Sequence, residues 1–339
     1  MDGERSGTIV NIKRHLSAVN LERMRALYWN GKSLRFDPSY PAPKLKEDHA
    51  LVRVHLAGIC STDLQIFQGY MGFQGIPGHE FVGEVSKGPA ELLGRRVVGE
   101  INFACGRCDF CARQLGRHCP QRRVMGISQA DGSFAEYVAL PVANLHVVPE
   151  SVADEEAVFT EPLAAAFEIP DQINIKPEDE VLVLGDGKLG ILCAQVLRLA
   201  SAHVTVIGKH ESKLGLLEKL GIQSALVSDW KPSSADVVIE ATGSTSGLKM
   251  ALGAVRPRGT LVMKSTVAQE HALSLAPLVI NEVTVVGSRC GLFPPALEAL
   301  VQQKVSVNAL IDQVYPLKDG IEAVEHAGRS GSLKILFRI

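Results

Sequence analysis

Cys105, Cys108, Cys111 and Cys119 stand at CxxCxxCx7C spacing, which lets four thiolates close a tetrahedron around zinc with no position left open. Gly106 permits the tight turn, and Arg107 and Arg113 favour ionised thiols. A closed four-sulfur site performs no chemistry on a substrate; it holds a lobe together. Iron–sulfur clusters also use four cysteines, but so short and compact a loop favours zinc. The chain has seven cysteines, an odd number, and their crowding between 105 and 119 speaks for metal binding over a disulfide framework. His118 is read as a surface neighbour of this lobe.

A second chemistry-bearing segment is GDGKLG, with Gly185, Gly187 and Gly190. It follows the apolar strand 181–184 and opens a helix-period stretch over 189–199. In that setting the first glycine permits a tight turn, the second admits a pyrophosphate close to the backbone, and the third lets helix and strand pack closely. Lys188 and Leu189 lie inside the turn and are candidate cofactor contacts. Unpaired N–H groups and the helix dipole then face the phosphates. After the next strand, 204–207, come Gly208, Lys209 and His210 rather than an Asp or Glu. A carboxylate there would accept the ribose hydroxyls of NAD and repel a phosphate; its absence, with added positive charge, predicts a preference for NADP, partly offset by Glu211.

The elements that must position these groups change character along the chain. Short alternating segments such as 51–56, 81–85 and 96–100, separated by Gly and Pro, predict a compact β-rich domain. From Asp179 onward, apolar strands (181–184, 204–207, 237–241, 260–264) alternate with helix-period segments (189–199, 213–220). This predicts a doubly wound parallel sheet. Leu189, Leu192, Cys193, Val196 and Leu197 predict one apolar stripe and make Cys193 a core residue. Pro294 and Pro295 open a helix expected over 296–303, and the chain closes on a strand over 334–339.

Composition bounds the rest. A length of 339 residues with 46% hydrophobic content builds two ordinary domains. With 35 basic and 37 acidic residues the formal charge is −2, which leaves no surplus field for nucleic acid or an acidic membrane surface. No apolar run reaches the roughly 18–20 residues of a membrane span. The first twenty residues do not resemble a secretory signal, so a cytoplasmic protein is expected. Lys13, Arg14 and His15 leave organelle targeting open, and residues 1–25 are read as an extension.

Gly58-Ile59-Cys60-Ser61-Thr62-Asp63, then Gly78-His79-Glu80, the four-cysteine lobe, Glu161-Pro162-Leu163-Ala164 and GDGKLG occur in the order found in zinc-containing medium-chain dehydrogenases and reductases. The chain resembles that alcohol dehydrogenase-like family from about Tyr28 to its end. The resemblance implies an α/β protein: a GroES-like β-rich catalytic domain (26–168 with 292–339, zinc lobe 103–122), an inserted Rossmann domain (169–291), and an active site between them. It implies Cys60 and His79 as catalytic zinc ligands with Glu161 as the third, Glu80 being the alternative third ligand or a carboxylate that exchanges with Glu161. Such a set, with an open fourth position, suits a zinc that polarises a substrate oxygen. Thr62 matches the position whose hydroxyl meets that oxygen and starts a proton relay, and Asp63 would orient a ligand from behind. Where the family often has a relay histidine, this chain has Gln65, which cannot titrate; the relay is expected to run from Thr62 through the ribose hydroxyl and water. Thr242, Ser288 and Arg289 resemble residues near the dinucleotide. The segment near Val283 resembles a strand that pairs between subunits, so a homodimer or a tetramer of dimers is expected.

The predicted function is reversible, NADP-preferring oxidation of an alcohol or reduction of a carbonyl, with two zinc ions per chain. Three other readings stand beside it: an NAD-dependent polyol or threonine-type dehydrogenase, closest in motif flavour; a non-catalytic nucleotide-binding protein of the same fold; and a zinc-free reductase of activated double bonds. Phe67, Tyr70, Phe73 and Phe293 are candidates for an apolar substrate pocket.

Overall fold

The structure is a computed structural model and describes residues 21–266 and 273–339; Lys13, Arg14 and His15 of the extension lie outside the described residues. An antiparallel pair, β1 (Arg23–Trp29) and β2 (Leu34–Pro41), leads in. The main β-rich sheet begins with β3 (His49–Gly58), β4 (Glu80–Lys87) and β5 (Arg96–Gly99), matching the alternating segments. Helix α1 (Ser61–Ile66) follows β3. The cysteine lobe contains α2 (Asp109–Ala112) and adjoins a small sheet of β6 (Asn102–Phe103), β7 (Arg123–Met125) and β8 (Gln129–Ala130). Strands β9 (Tyr137–Pro141) and β10 (Leu145–Val147) precede helices α3 (Asp154–Ala157) and α4 (Thr160–Gln172).

The second half alternates as predicted: β11 (Val181–Leu184), α5 (Lys188–Leu197), β12 (Val204–Gly208), α6 (Glu211–Lys219), β13 (Gln223–Leu226), β14 (Ala235–Glu240), α7 (Thr245–Ala254), β15 (Val255–Met263), α8 (Ala276–Ile280) and β16 (Thr284–Gly287). These strands form a parallel sheet in the order β13-β12-β11-β14-β15-β16. Period-2 alternation splits the apolar strand β11 between two cores: Val181 and Val183 pack with α5, and Leu182 and Leu184 with α7. The sheet is thus covered on both faces, and the chain runs outward from β11 through β12 on one side and from β14 on the other, so the switch point where ligands bind lies between β11 and β14.

After α9 (Phe293–Val301) the chain returns to the first sheet through β17 (Ile311–Pro316), α10 (Gly320–Ala327) and β18 (Lys334–Arg338). The order there is β10-β5-β4-β3-β18-β17, with β9 also on β3. The antiparallel pairing of β18 with β3 sets Phe337 opposite Ala57, so the chain's last strand borders the Cys60 turn.

Two local expectations differ. Helix α9 begins at Phe293, not Ala296, because Pro294 and Pro295 occupy its first turn, where no intrahelical N–H is needed. Helix α5 is buried on nearly all sides and not along one stripe: α4 and the segment around Ser306 cover its far side, where Gln195 exchanges two hydrogen bonds with the Ser306 backbone (2.9 and 2.8 Å).

Candidate active site and metal centres

At the end of β3, Cys60 caps α1 and its backbone N–H donates to Asp63 Oδ2 (2.8 Å). The other Asp63 oxygen accepts the Gly78 N–H (3.2 Å) and lies 3.4 Å from His79 Nδ1. One fully buried carboxylate therefore ties the Cys60 turn to the His79 turn. Thr62 Oγ1 lies 3.7 Å from Cys60 Sγ. The ligand atoms of Cys60, His79 and Glu80 all lie within 4.8 Å of one another. His79 Nδ1 and Glu80 Oε1 are buried with no hydrogen-bond partner, a costly condition that a cation relieves. Burial works against an imidazolium at His79, yet the fields of Asp63 and Cys60 outweigh it and hold the ring well above its ordinary pKa. The nest favours positive charge, and a divalent ion fits it.

Glu161, in the first turn of α4, lines the same cavity but is outside that close group. It is reached by water through the cleft yet surrounded by protein. Burial pushes its carboxyl up, His79 lowers it and Glu80 raises it further. Glu80 is held from the opposite side by Lys334, whose ammonium binds Oε2 in an ion pair almost wholly shielded from solvent. Gly58 leaves the space for this pair, since a Cβ there would sit 2.4 Å from Glu80 Oε2.

In the lobe, all four thiol sulfurs lie within 4.8 Å of one another. Cys108–Cys111, Cys108–Cys119 and Cys105–Cys111 are 3.5, 3.7 and 4.0 Å apart. A tetrahedral zinc–thiolate site has edges of about 3.8 Å, so the cluster fits zinc as it stands. The Arg107 backbone N–H is the main cause that brings the Cys105 thiol down to about 6.

At the glycine turn, a Cβ on Gly190 would meet Gly185 O at 2.0 Å and one on Gly185 would meet Ala241 O at 2.6 Å, whereas one on Gly187 would meet nothing within 4 Å. Gly187 caps α5 without any side-chain bond, which leaves the first-turn N–H groups facing the cleft. This turn, the Cys60–His79–Glu80 group and Glu161 line one continuous cavity of about 670 Å³.

Comparison with known proteins agrees with this geometry. Residues 46–150 match the alcohol dehydrogenase GroES-like domain and 189–304 the zinc-binding dehydrogenase domain. The sorbitol dehydrogenase of Halalkalibacterium halodurans is 30% identical over 321 residues, 87% of this chain and 93% of that protein. The chain belongs to the zinc-binding dehydrogenase family. The D-arabitol-phosphate dehydrogenase of Enterococcus avium is 27% identical over 87% of this chain and 91% of its own. A zinc-binding dehydrogenase from Sinorhizobium meliloti 1021, solved with NADP, superposes with a TM-score of 0.86 at 25% identity, covering 94% of this chain and all of that one. This dehydrogenase is an oxidoreductase with a GroES-like domain and a Rossmann sheet.

The dehydrogenase departs from its sequence reading at several residues. The end of β12 does not lack a carboxylate: Asp186, from the glycine turn, reaches across and accepts the N–H groups of Lys209 and His210 (2.7 Å each) and His210 Nδ1 (3.0 Å). Burial opposes its charge, but these donors hold its carboxyl below the usual range. Gly208 is therefore not open room, since a Cβ there would collide with Asp186 at 2.6 Å. Thr242 lines the cavity but turns its hydroxyl and N–H to Glu240 (2.6 and 2.8 Å). Ser288 accepts from Lys264 Nζ (3.1 Å), and Arg289 donates to Asn102 Oδ1 and Arg117 O. Of the four aromatics only Tyr70 lines the cavity; Phe67 stacks on Trp29, and Phe73 and Phe293 are buried elsewhere. Gln65 lines the cavity and donates to Thr266 O (3.0 Å).

Sequence reasoning missed Lys334, Lys264 and Lys213. Lys264 donates to Ala165 O, Ser288 Oγ and Arg289 O, joining α4 to the parallel sheet. Lys213 is 6% exposed and lines the cavity with Lys209 and His210, and its ammonium makes no ion pair or hydrogen bond among the described residues. A charged residue opening the apolar run 335–337 was the available signal for Lys334; Lys213 looked like an ordinary helix-surface lysine.

Proposed function

We propose that the protein interconverts an alcohol and its carbonyl with NADP(H), using a zinc held by Cys60, His79 and a carboxylate, while a second zinc in Cys105, Cys108, Cys111 and Cys119 braces the lobe. The observation that carries this reading is the single cavity joining the Cys60–His79–Glu80 group to an unobstructed glycine cradle. Zinc supplies a Lewis acid toward the substrate oxygen, and the nicotinamide supplies or accepts the hydride. The chain's own residues do the rest. Thr62 holds the substrate hydroxyl proton at Oγ1; Asp63 fixes the two turns; Glu80, anchored by Lys334, and Glu161 are the carboxylates that line the cavity beside Cys60 and His79. The glycine turn takes the pyrophosphate, and residues 26–168 with 292–339 form the catalytic unit around the inserted 169–291, a division supported by the return of β17 and β18 to β3.

The preference for NADP rests on Lys209, His210 and the unpartnered Lys213 at the adenosine end, three basic residues against Asp186 alone. Asp186 is the one feature favouring NAD. The test follows nicotinamide absorbance with zinc-loaded protein over aldehydes, ketones and polyols. Turnover with NADPH is expected to exceed that with NADH at least tenfold, and Lys213→Met to erase most of the difference, since removing one charge-assisted phosphate contact costs about 1.5–3 kcal/mol. Preference for NADH would overturn the cofactor assignment and leave the reaction class standing.

A homodimer formed through the sheet edge is part of the same proposal. Strand β16 ends the parallel sheet, and Val279 and Ile280 on the adjoining α8 are 78% and 77% exposed, an apolar patch beside a strand whose outer edge has no partner among the described residues. Light scattering is expected to give twice the chain mass, falling to one chain in Val279→Lys/Ile280→Lys.

A further inference from the structure

Most charged groups lining the cleft are already engaged. Lys264 has three acceptors, Lys334 holds Glu80, Arg289 spans Asn102 and the Arg117 carbonyl, and Asp186 takes His210. Besides Lys209 and Lys213 beyond the end of β12, two cations keep side-chain atoms without a partner among the described residues. Lys188, the first residue of α5, lines the cavity, and its ammonium has no hydrogen bond or ion pair among the described residues. Burial is the main cause that brings its ammonium down to about 8, Lys334 adds to it, and Cys60, Glu80 and Asp63 act in the opposite direction. The fields of Cys60, Glu80 and Asp63 reach this ammonium from the metal end of the cleft, whereas Lys209 and Lys213 stand beyond the end of β12. Arg122, between Cys119 and β7, gives one N–H to Cys119 O (3.1 Å), while its Nε is buried with no partner. It lines the same cavity, as do Thr62, Tyr70, Ile101, Val124 and Ile127.

A buried cation without a counter-ion is costly unless a ligand supplies one. The dinucleotide phosphates are met by the N–H groups beside Gly187, Glu80 belongs to the metal group and is already held by Lys334, and Glu161 stands beside that group in the cavity. Surplus positive charge therefore remains where the reacting molecule must lie. We infer that Lys188 and Arg122 read an anionic group on the substrate, so that the preferred substrates are hydroxy compounds bearing a phosphate or carboxylate, such as polyol phosphates or sugar acids, and not neutral alcohols. Both are specificity-determining residues, acting chiefly through substrate affinity. The inference rests on the alcohol–carbonyl reading above.

The test compares sorbitol, sorbitol 6-phosphate and gluconate with the zinc-loaded protein, its Lys188→Met and Arg122→Met variants, and Lys188→Arg as a charge-preserving control. NADPH affinity is measured separately by fluorescence. One anionic member is expected to exceed sorbitol at least tenfold in kcat/KM, and which one does so separates phosphate from carboxylate. Each Met variant should bring that ratio towards one through KM, Lys188→Arg should keep most of it, and the Kd for NADPH should stay within about twofold. Equal use of neutral and anionic compounds, or a tenfold loss of NADPH affinity in Lys188→Met, overturns the inference, the latter by assigning Lys188 to the cofactor. Should none of the compounds turn over, binding of sorbitol 6-phosphate to the NADPH-loaded protein decides. Binding that weakens tenfold in Lys188→Met upholds the charge reading while the reaction assignment fails; absent or unchanged binding overturns it.

Discussion

His79→Ala is expected to leave a folded chain carrying one zinc instead of two and to lower kcat/KM by about a thousandfold or more. The imidazole is 3% exposed and stands with Cys60 and Glu80 in the only group besides the four cysteines, among the described residues, that could hold a metal. Losing a Lewis acid removes several kcal/mol of transition-state stabilisation, and about 4 kcal/mol corresponds to a factor of a thousand. The lobe is untouched by the substitution, so its zinc persists, and the glycine cradle keeps its affinity for NADPH. Elemental analysis and initial rates measure both consequences; two zincs with an unaltered rate would remove His79 from the site. Thr62→Ala should retain both metals and lose roughly a hundredfold, the scale of a positioned proton donor. Gln65→Ala should lose far less, because Gln65 cannot titrate and its amide already bonds the Thr266 carbonyl.

Lys334→Met is expected to destabilise the fold by about 3–5 kcal/mol in urea unfolding of the zinc-stripped protein. It leaves the Glu80 carboxylate, 1% exposed, without the ammonium that balances it, and breaking one side of a buried ion pair costs more than replacing both. The double variant Glu80→Gln/Lys334→Met should recover most of the loss. A double variant as unstable as the single one would show that packing against Phe159, whose ring lies 5.6 Å from the ammonium, matters more than charge.

The parts of this fold that a reader of the sequence could find are those fixed by local chemistry. Tetrahedral spacing marked the lobe; a strand, three glycines and a helix marked the cradle; period-2 alternation marked β3, β4 and β5. Ordered motifs marked the family. What stayed hidden depends on contacts between distant positions. Lys334 meets Glu80 across 254 residues, because the last strand returns to the first sheet. Asp186 meets Lys209 and His210 across the cleft between two βα turns, so the charge at the end of β12 could not be counted from β12 alone. Whether Glu80 or Glu161 approaches Cys60 and His79 depends likewise on how α4 lies over β4. Aromatic residues misled for a simpler reason: side-chain type says nothing of direction, and only Tyr70 of the four turned inward.

The interlock of Gly208 with Asp186 also bears on how this chain can change over generations. Any side chain at 208 must find Asp186 already in its place, and removing Asp186 alone strands two backbone donors and a histidine ring. Residues 186 and 208 must therefore be exchanged together. A lineage, or a library, that begins by enlarging residue 208 alone is blocked at its first step, whereas the cations beside this corner can be changed singly.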